Sequence, residues 1–116
     1  MRSGLYNATQ DKPITSSLEH ARSFLARAKG LLFRTGITVD HGLVLYQTNS
    51  IHMFFMLFTI DVVFLDEDKQ VVALFPRRRP FSFPVWAKKA EICVELHPGV
   101  IESSGVKIGD RLELWD

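Results

Sequence analysis

The most apolar stretch of the chain, residues 50–66, places the strongest constraint on its fold. Its run 53–60 is far shorter than the roughly 20 residues that span a bilayer, so it belongs in a folded core. Asp61 is the first carboxylate in the stretch and has apolar residues on both sides. Because an isolated buried carboxylate is costly, we place Asp61 at a junction and divide the stretch at residues 59–61 into two strands.

A helix is predicted near the start of the chain. Ser16 and Glu19 match a capping box, in which a hydroxyl and a carboxylate bind the free amides of the first helical turn. The apolar residues that follow recur at helical spacing. Gly30 is a typical helix end, so we expect a helix from about residue 17 to residue 29.

Short β-type segments make up most of the remaining chain. They are predicted at residues 42–47, 62–65, 70–75, 90–96 and 111–115, and a helical turn at 100–104 ends at Gly105. Because the strands do not alternate with long helices, the pattern argues against a parallel doubly wound sheet. The fold class is α+β and mainly β, a small, largely antiparallel barrel or sandwich of six to seven short strands with one N-terminal helix and a short late helical turn.

Size and composition predict one domain over residues 1–116, with residues 1–15 as a lead-in that holds a short edge strand. The net charge of +1 gives no global attraction for nucleic acid or an anionic membrane. The single cysteine, Cys93, excludes an internal disulfide and is interpreted as a small buried residue. Since no signal peptide precedes the first strand, we expect a cytoplasmic protein with no membrane contact.

Six spaced blocks now point to a family. The chain resembles the prokaryotic domain-of-unknown-function family 192 from about residue 6 to residue 114, and the family implies a compact, β-rich, barrel-like fold without an established activity. Met53 and Leu57 stand where relatives commonly carry polar residues. The blocks are Arg27-x-x-Gly30-Leu31-Leu32-x-Arg34, Gly42-Leu43, Ser50-Ile51-His52-x-Phe54-Phe55-Met56, Ile60-Asp61-Val62-Val63-Phe64-Leu65-Asp66, Glu95-Leu96-x-x-Gly99 and Gly105-x-x-x-Gly109-Asp110.

His52 and Asp61 are the polar residues of the apolar stretch that require an explanation. A histidine in such a run is usually structural, but its ordinary pKa also suits a general base or a ligand at a pocket mouth. Asp61 either binds backbone amides between two strands or pairs with Arg34 or Arg27. The second arrangement would bring Arg34, Asp61 and His52 together in a pocket.

The loop around Arg77, Arg78 and Arg79 is the one basic patch of the sequence. It is interpreted as a solvated loop, an anion-binding or nucleic-acid contact with Phe81, Phe83 and Trp86 as stacking surfaces, or a protein contact. Three arginines form too small a footprint for sequence-specific recognition of nucleic acid.

Two functional classes remain open. The favoured one is a binding or accessory module in which Arg34, His52, Asp61 and the Arg77–Arg79 loop hold a small anionic ligand or a segment of a protein partner. The alternative is a small enzyme that uses His52 and Asp61 in acid–base chemistry. Because no complete catalytic motif is present and the four histidines lack ligand spacing, we expect neither a metal nor a cofactor, and favour a protein that is not an enzyme.

Overall fold

The computed structural model describes residues 3–23, 26–27, 34–53 and 56–115, and these residues are mainly β. Helix α1 is Val100–Ser104. The strands of these ranges are β1 Gly4–Asn7, β2 Lys12–Thr15, β3 Ser17–Ala21, β4 His41–Tyr46, β5 Ser50–Ile51, β6 Ile60–Leu65, β7 Val71–Arg78, β8 Val85–Trp86, β9 Ile92–Leu96 and β10 Leu112–Trp115.

A five-stranded sheet in the order β3-β4-β9-β6-β7 forms the centre of the molecule. Its strand pairs are antiparallel except for β3 with β4, which run parallel. A three-stranded sheet, β10-β1-β2, and a short ribbon, β5-β8, accompany it. In the part of the chain that the structure describes, β3 and β7 do not pair with each other, so the sheet is open and sandwich-like rather than a closed barrel. The expected mainly β, largely antiparallel fold is confirmed.

The central sheet buries both of its faces, because alternate residues of its strands point in opposite directions. One face, here called the helix face, carries Val44, Val63 and Leu96 and packs against α1 and the three-stranded sheet. The other, the ribbon face, carries Leu43, Val62, Phe64 and Cys93 and packs against residues from the β5-β8 ribbon and its flanks. Two separate apolar clusters therefore stabilise the fold, which explains why β6 is buried at all six positions.

The predicted helix over residues 17–29 is wrong in its first part, since residues 17–21 form β3. The Ser16 and Ser17 amides donate to the carbonyl oxygen of Asp40, and Glu19 binds Arg34 instead of capping a helix. Five residues of β3 pair in register with β4, and this tertiary pairing outweighs the local helix pattern. Ala26 and Arg27 are helical, and residues 24–25 and 28–29 lie outside the described residues.

Three other segments differ from the sequence prediction. Residues 1–15, expected as a lead-in with an edge strand, contain both β1 and β2, and β1 is the central strand of its sheet. The first half of the apolar stretch contributes only the two-residue strand β5, residues 52, 53 and 56–59 are irregular, and residues 54–55 lie outside the described ranges. Strand β7 continues to Arg78, into the segment that was expected to be a loop. In the described ranges, no helix is long and apolar enough to cross a membrane.

Gly4 tests the contact between β1 and β2. Its φ is +90°, and a Cβ added there would overlap the carbonyl oxygen of Thr15. Gly4→Ala should therefore lower the free energy of unfolding by about 2 kcal/mol or more, because both the backbone conformation and the space exclude a side chain. Gly36→Ala is the control, since nothing lies within 4 Å of the added atom. Denaturant unfolding of the two variants checks this, and equal stabilities would contradict it.

Candidate functional site

Asp61 is completely buried and binds backbone amides. Its Oδ1 accepts a hydrogen bond from the Arg77 amide at 2.8 Å. Its Oδ2 accepts from the amides of Gly99 and Ile101 at 3.1 and 2.8 Å. Of the two alternatives drawn from the sequence, the structure shows backbone binding rather than an ion pair with Arg34.

The backbone around Asp61 is shaped to present these amides. Between Ile60 and Val62 the register with β7 shifts by one residue, and Arg77 in this bulge has a φ of +52°. Gly99 precedes α1 with a φ of +96° and has no side chain with which to cap the helix. Asp61 therefore caps α1 from a distant strand and fixes the bulge of β7, which is a structural role.

His52 and Asp61 do not form the expected pair around one carboxylate. Asp61 lies in register with Leu96, a helix-face residue, and its carboxylate is directed to α1. His52 is exposed and follows β5, whose Ile51 packs against the cluster of the ribbon face. Ligand binding or catalysis by His52 stays a prediction, without the Asp61 carboxylate as its partner.

Arg34 is fixed by Glu19 instead of Asp61. Its Nη1 and Nη2 donate to the two carboxylate oxygens of Glu19 at 2.9 and 3.0 Å. This hydrogen bonding lowers the pKa of Glu19 and raises the pKa of Arg34. His41 Nε2 lies 3.9 Å from Glu19 Oε2, and His41 Nδ1 lies 2.9 Å from Ser17 Oγ. Glu19, Arg34 and His41 therefore form a polar cluster at the open edge of the ribbon face, centred on the Arg34–Glu19 ion pair.

Glu95 extends this cluster into the core. It pairs with Leu43 of β4 and Val62 of β6, and Leu43 in turn pairs with Glu19, so the two glutamates lie in one row across the sheet. Glu95 is only 4% exposed. Burial raises its pKa from 4.5 to about 7, although the positive charge of Arg34 acts in the opposite direction. No hydrogen bond or ion pair joins its carboxylate to any described residue.

Sequence reasoning missed Glu95 as a site residue. The signal was present, because Glu95 is the single charged residue of the strand Ile92–Leu96, whose other members are all apolar. The argument that singled out Asp61 applies equally to it. Cys93, two residues away, is buried as expected, and burial together with the Glu95 charge raises its pKa well above the ordinary value.

The three arginines of the basic loop have different surroundings. Arg77 makes an exposed ion pair with Glu102 at 3.2 Å. Arg78 Nη2 donates to the Phe83 carbonyl at 3.1 Å, while its Nε is buried without an acceptor in the described ranges. Arg79 is exposed, and its carbonyl accepts from Ser82. The arginines therefore combine loop stabilisation with exposed positive charge.

An open cleft of about 500 Å³ lies near the far end of β4, where the Arg22 guanidinium is 4.5 Å above the ring of Tyr46. Its lining is Arg22, Tyr46, Gln47, Glu67, Glu91 and Ile92. Across the described residues, no group of three or more His, Cys, Asp or Glu side chains is arranged to hold a metal ion.

The sequence profile of the family described as Uncharacterized ACR, domain-of-unknown-function family 192, matches residues 6–114. The chain belongs to this family. A UPF0127 protein of Pyrococcus furiosus is 37% identical over 115 residues, which cover 97% of both chains. A UPF0127 protein of Thermococcus sibiricus is 36% identical over 116 residues, which cover 97% of this chain and 74% of the relative. The family resemblance seen in the sequence is confirmed.

Solved structures show the same fold. A protein of unknown function from Novosphingobium aromaticivorans has a TM-score of 0.83 and 23% identity, over 94% of this chain and 81% of its own. A protein from Sinorhizobium meliloti, described as a putative transcription regulator, has a TM-score of 0.75 and 23% identity, over 94% of this chain and 88% of its own. At this identity the likeness establishes the fold alone.

Removing the Asp61 carboxylate should destabilise the protein strongly. Asp61→Ala leaves three amides without their acceptor, so we expect a loss of roughly 3–5 kcal/mol in the free energy of unfolding. Asp68→Ala, in an exposed turn, is the matched control and should change stability by less than about 0.5 kcal/mol. Urea unfolding monitored by circular dichroism measures both. A loss below about 1 kcal/mol at Asp61 would contradict the structural role.

Glu95 should make stability depend on pH. Because its pKa is raised in the folded state, protonated Glu95 favours folding below pH 4.5, and this contribution is lost as the pH rises through about 7. The difference in the free energy of unfolding between Glu95→Gln and the wild type should therefore rise in favour of the variant by up to about 3 kcal/mol between pH 5 and pH 8. Urea unfolding across this range measures the difference. Glu91→Gln changes an exposed neighbouring residue, and its free energy of unfolding should depend on pH as that of the wild type does. The same pH dependence for Glu95→Gln and the wild type would contradict a raised pKa of Glu95.

Proposed function

We propose that the protein is a binding module that docks an acidic, partly apolar segment of a protein partner. The surface responsible consists of Leu57, Arg79, Phe81, Phe83 and Trp86 and is here called the basic aromatic surface. The observation that carries the proposal is the exposure of four large apolar side chains in it. Leu57 is 54% exposed, Phe81 62%, Phe83 86% and Trp86 66%. Exposed apolar groups on this scale are typical of interaction sites.

Backbone contacts bring together the two chain segments that carry these residues. Trp86 pairs with Ser50 in the β5-β8 ribbon. The Phe81 amide donates to the carbonyl oxygen of Met53 at 2.9 Å, which joins the 79–84 loop to the segment that leads to Leu57. The patch is therefore formed by two neighbouring chain segments.

The loop that carries the patch is held in place before any partner binds. Ser82 donates to the Arg79 carbonyl from both its amide and its hydroxyl, and Arg78 binds the Phe83 carbonyl. Pro80 and Pro84 restrict the backbone further. A preorganised loop loses less conformational entropy when a partner binds, which favours a binding role.

The charge of the region selects the partner. Residues 76–90 contain three arginines and two lysines and no aspartate or glutamate. An acidic segment with apolar side chains complements both the charge and the aromatic rings. We favour a protein over nucleic acid because the net charge is +1 and Arg77 is already paired with Glu102, which leaves a small footprint for phosphates.

Two earlier expectations remain separate proposals. An anionic ligand at Arg34, His52 and Asp61 has less support, because Arg34 and Asp61 bind Glu19 and backbone amides. Acid–base catalysis by His52 with Asp61 has less support for the same reason. The cytoplasmic location stays a prediction, which immunoblotting of cell fractions checks.

Trp86 allows a direct test, because the chain has only one other tryptophan, Trp115. In a Trp115→Phe background, a synthetic peptide rich in Glu and Leu should shift Trp86 emission to shorter wavelength in a saturable way, since binding removes the indole from water. The reference probes are a matched peptide rich in Lys and Leu and a single-stranded oligothymidylate. We expect neither to saturate at the same concentrations.

Paired variants separate the surface from general effects. Phe83→Ser and Arg79→Glu should each weaken peptide binding by about tenfold or more. Ile108→Ser and Lys107→Glu change equally exposed residues elsewhere and should leave the affinity within about twofold. An equal shift of Trp86 emission with both peptides, or no shift with either peptide, would overturn the proposal. A tighter response to oligothymidylate would replace the protein partner with nucleic acid.

A further inference from the structure

The open cleft at the far end of β4 contains no residue of the basic aromatic surface. Its volume of about 500 Å³ lies within the range of roughly 300–1,000 Å³ that is typical of small-molecule sites. Three of its lining residues are charged, and Arg22, Glu67 and Glu91 are all exposed to solvent. A small molecule in the cleft can therefore reach each of these charges.

The register of the central sheet separates the positive group from the negative groups. Arg22 follows β3 and lies over Tyr46 at the end of β4. Tyr46 pairs with Ile92 at the start of β9, and β9 in turn pairs with β6. Glu91 precedes β9 and Glu67 follows β6. Because β4 and β6 are two strand spacings apart, roughly 10 Å, the cation and the carboxylates line opposite sides of a short span.

Arg22 is held in position by Tyr46. Its guanidinium carbon lies 4.5 Å from the centre of the ring, and its Nη2 lies 3.4 Å from the hydroxyl oxygen. The same hydroxyl lies 2.7 Å from His20 Nδ1, and the rings of His20 and Tyr46 stack. A guanidinium has five N–H donors, so this contact leaves it able to bind a carboxylate. A cation that is already oriented loses less entropy when a ligand binds.

The opposite side and the floor of the cleft are also formed by the folded backbone. The Glu91 amide donates to the Leu65 carbonyl at 2.8 Å, and the Glu91 carbonyl accepts from the Thr48 amide at 3.0 Å. Ile92 is buried and Tyr46 is half-buried, so apolar surface lies between the charged groups. The cleft therefore combines a cation, an apolar floor and two carboxylates in that order across the sheet.

We infer that this cleft binds a small zwitterion, in which a short apolar chain separates a protonated amine from a carboxylate. The ligand carboxylate binds Arg22, the ammonium group lies by Glu67 and Glu91, and the apolar chain lies over Ile92. A simple anion would meet the two glutamates, and a simple cation would leave Arg22 unused. A zwitterion in this orientation matches the charges on both sides.

The probe is 5-aminopentanoate, and its matched halves are n-pentylammonium chloride and sodium pentanoate. Each compound is added to the full chain at constant pH and ionic strength, and amide ¹H–¹⁵N shifts follow binding. We expect saturable shifts at Gln47, Glu67 and Glu91 and none at Phe83. The affinity for 5-aminopentanoate should exceed that for either half by about threefold or more, which is the size of effect expected from one exposed ion pair.

Variants assign each end of the ligand to its side of the cleft. In Arg22→Gln, the affinity for 5-aminopentanoate should fall to that for n-pentylammonium, whose own affinity should not fall. The double variant Glu67→Gln/Glu91→Gln should make 5-aminopentanoate and pentanoate bind equally. Lys107→Gln removes an exposed cation outside the cleft and should leave all three affinities within about twofold.

Each other result contradicts the inference. Equal affinities for the three compounds, or no saturable shift at the amides of the cleft, would overturn it. Tighter binding of n-pentylammonium than of 5-aminopentanoate would show a site for cations alone, and tighter binding of pentanoate a site for anions alone. An equal loss of affinity in Arg22→Gln and Lys107→Gln would exclude a specific contact with Arg22. Failure in any of these ways leaves the proposed docking function untouched, because no residue of the basic aromatic surface lines the cleft.

Discussion

The three hydrogen bonds of the Asp61 carboxylate connect β6, the bulge of β7 and the start of α1 at one buried point. Strand β6 supplies the carboxylate, the bulge of β7 supplies one amide, and Gly99, just before α1, and Ile101 of α1 supply the other two. A five-residue helix is too short to be stable by itself, and its free amides need an acceptor. Burial of Asp61 strengthens these bonds and makes them costly to break, so they add to the packing of Val100 and Ile101 in holding α1 over the helix face.

Asp61 and Glu95 lie on adjacent strands but show opposite solutions to the burial of a carboxylate. Asp61 points to the helix face and is satisfied by backbone donors that are present in the folded chain. Glu95 pairs with Val62, the residue after Asp61, so it points to the ribbon face, where burial raises its pKa. The fold supplies donors that hold the Asp61 carboxylate, whereas at Glu95 burial favours the protonated carboxyl.

The sequence could predict those features that depend on local pattern. The β-branched and aromatic residues of Val62, Val63 and Phe64 define β6, and Gly105 ends α1 as expected. The local sequence around Glu19 could not reveal its environment. The Ser-x-x-Glu spacing is typical of a helix start, but the same residues can also form a β-strand. Only the pairing of β3 with β4, between residues more than 20 positions apart, selects the strand. The partners of Arg34 and Asp61 depend on that same topology, so residue types identified both as candidates and left two alternatives for Asp61, of which the structure shows backbone binding.

The basic aromatic surface is connected to the core of the ribbon face through Met53. Met53 packs in the same apolar cluster as Leu43 and Val62, the neighbours of Glu95. Its carbonyl oxygen receives the Phe81 amide and so holds the loop of the exposed aromatics. The main chain at residue 53 thus holds the loop of the exposed aromatics, while its side chain fills the ribbon-face core at 1% exposure. Because a buried side chain fixes the position of this carbonyl oxygen, the placement of the exposed rings depends on packing inside the ribbon face.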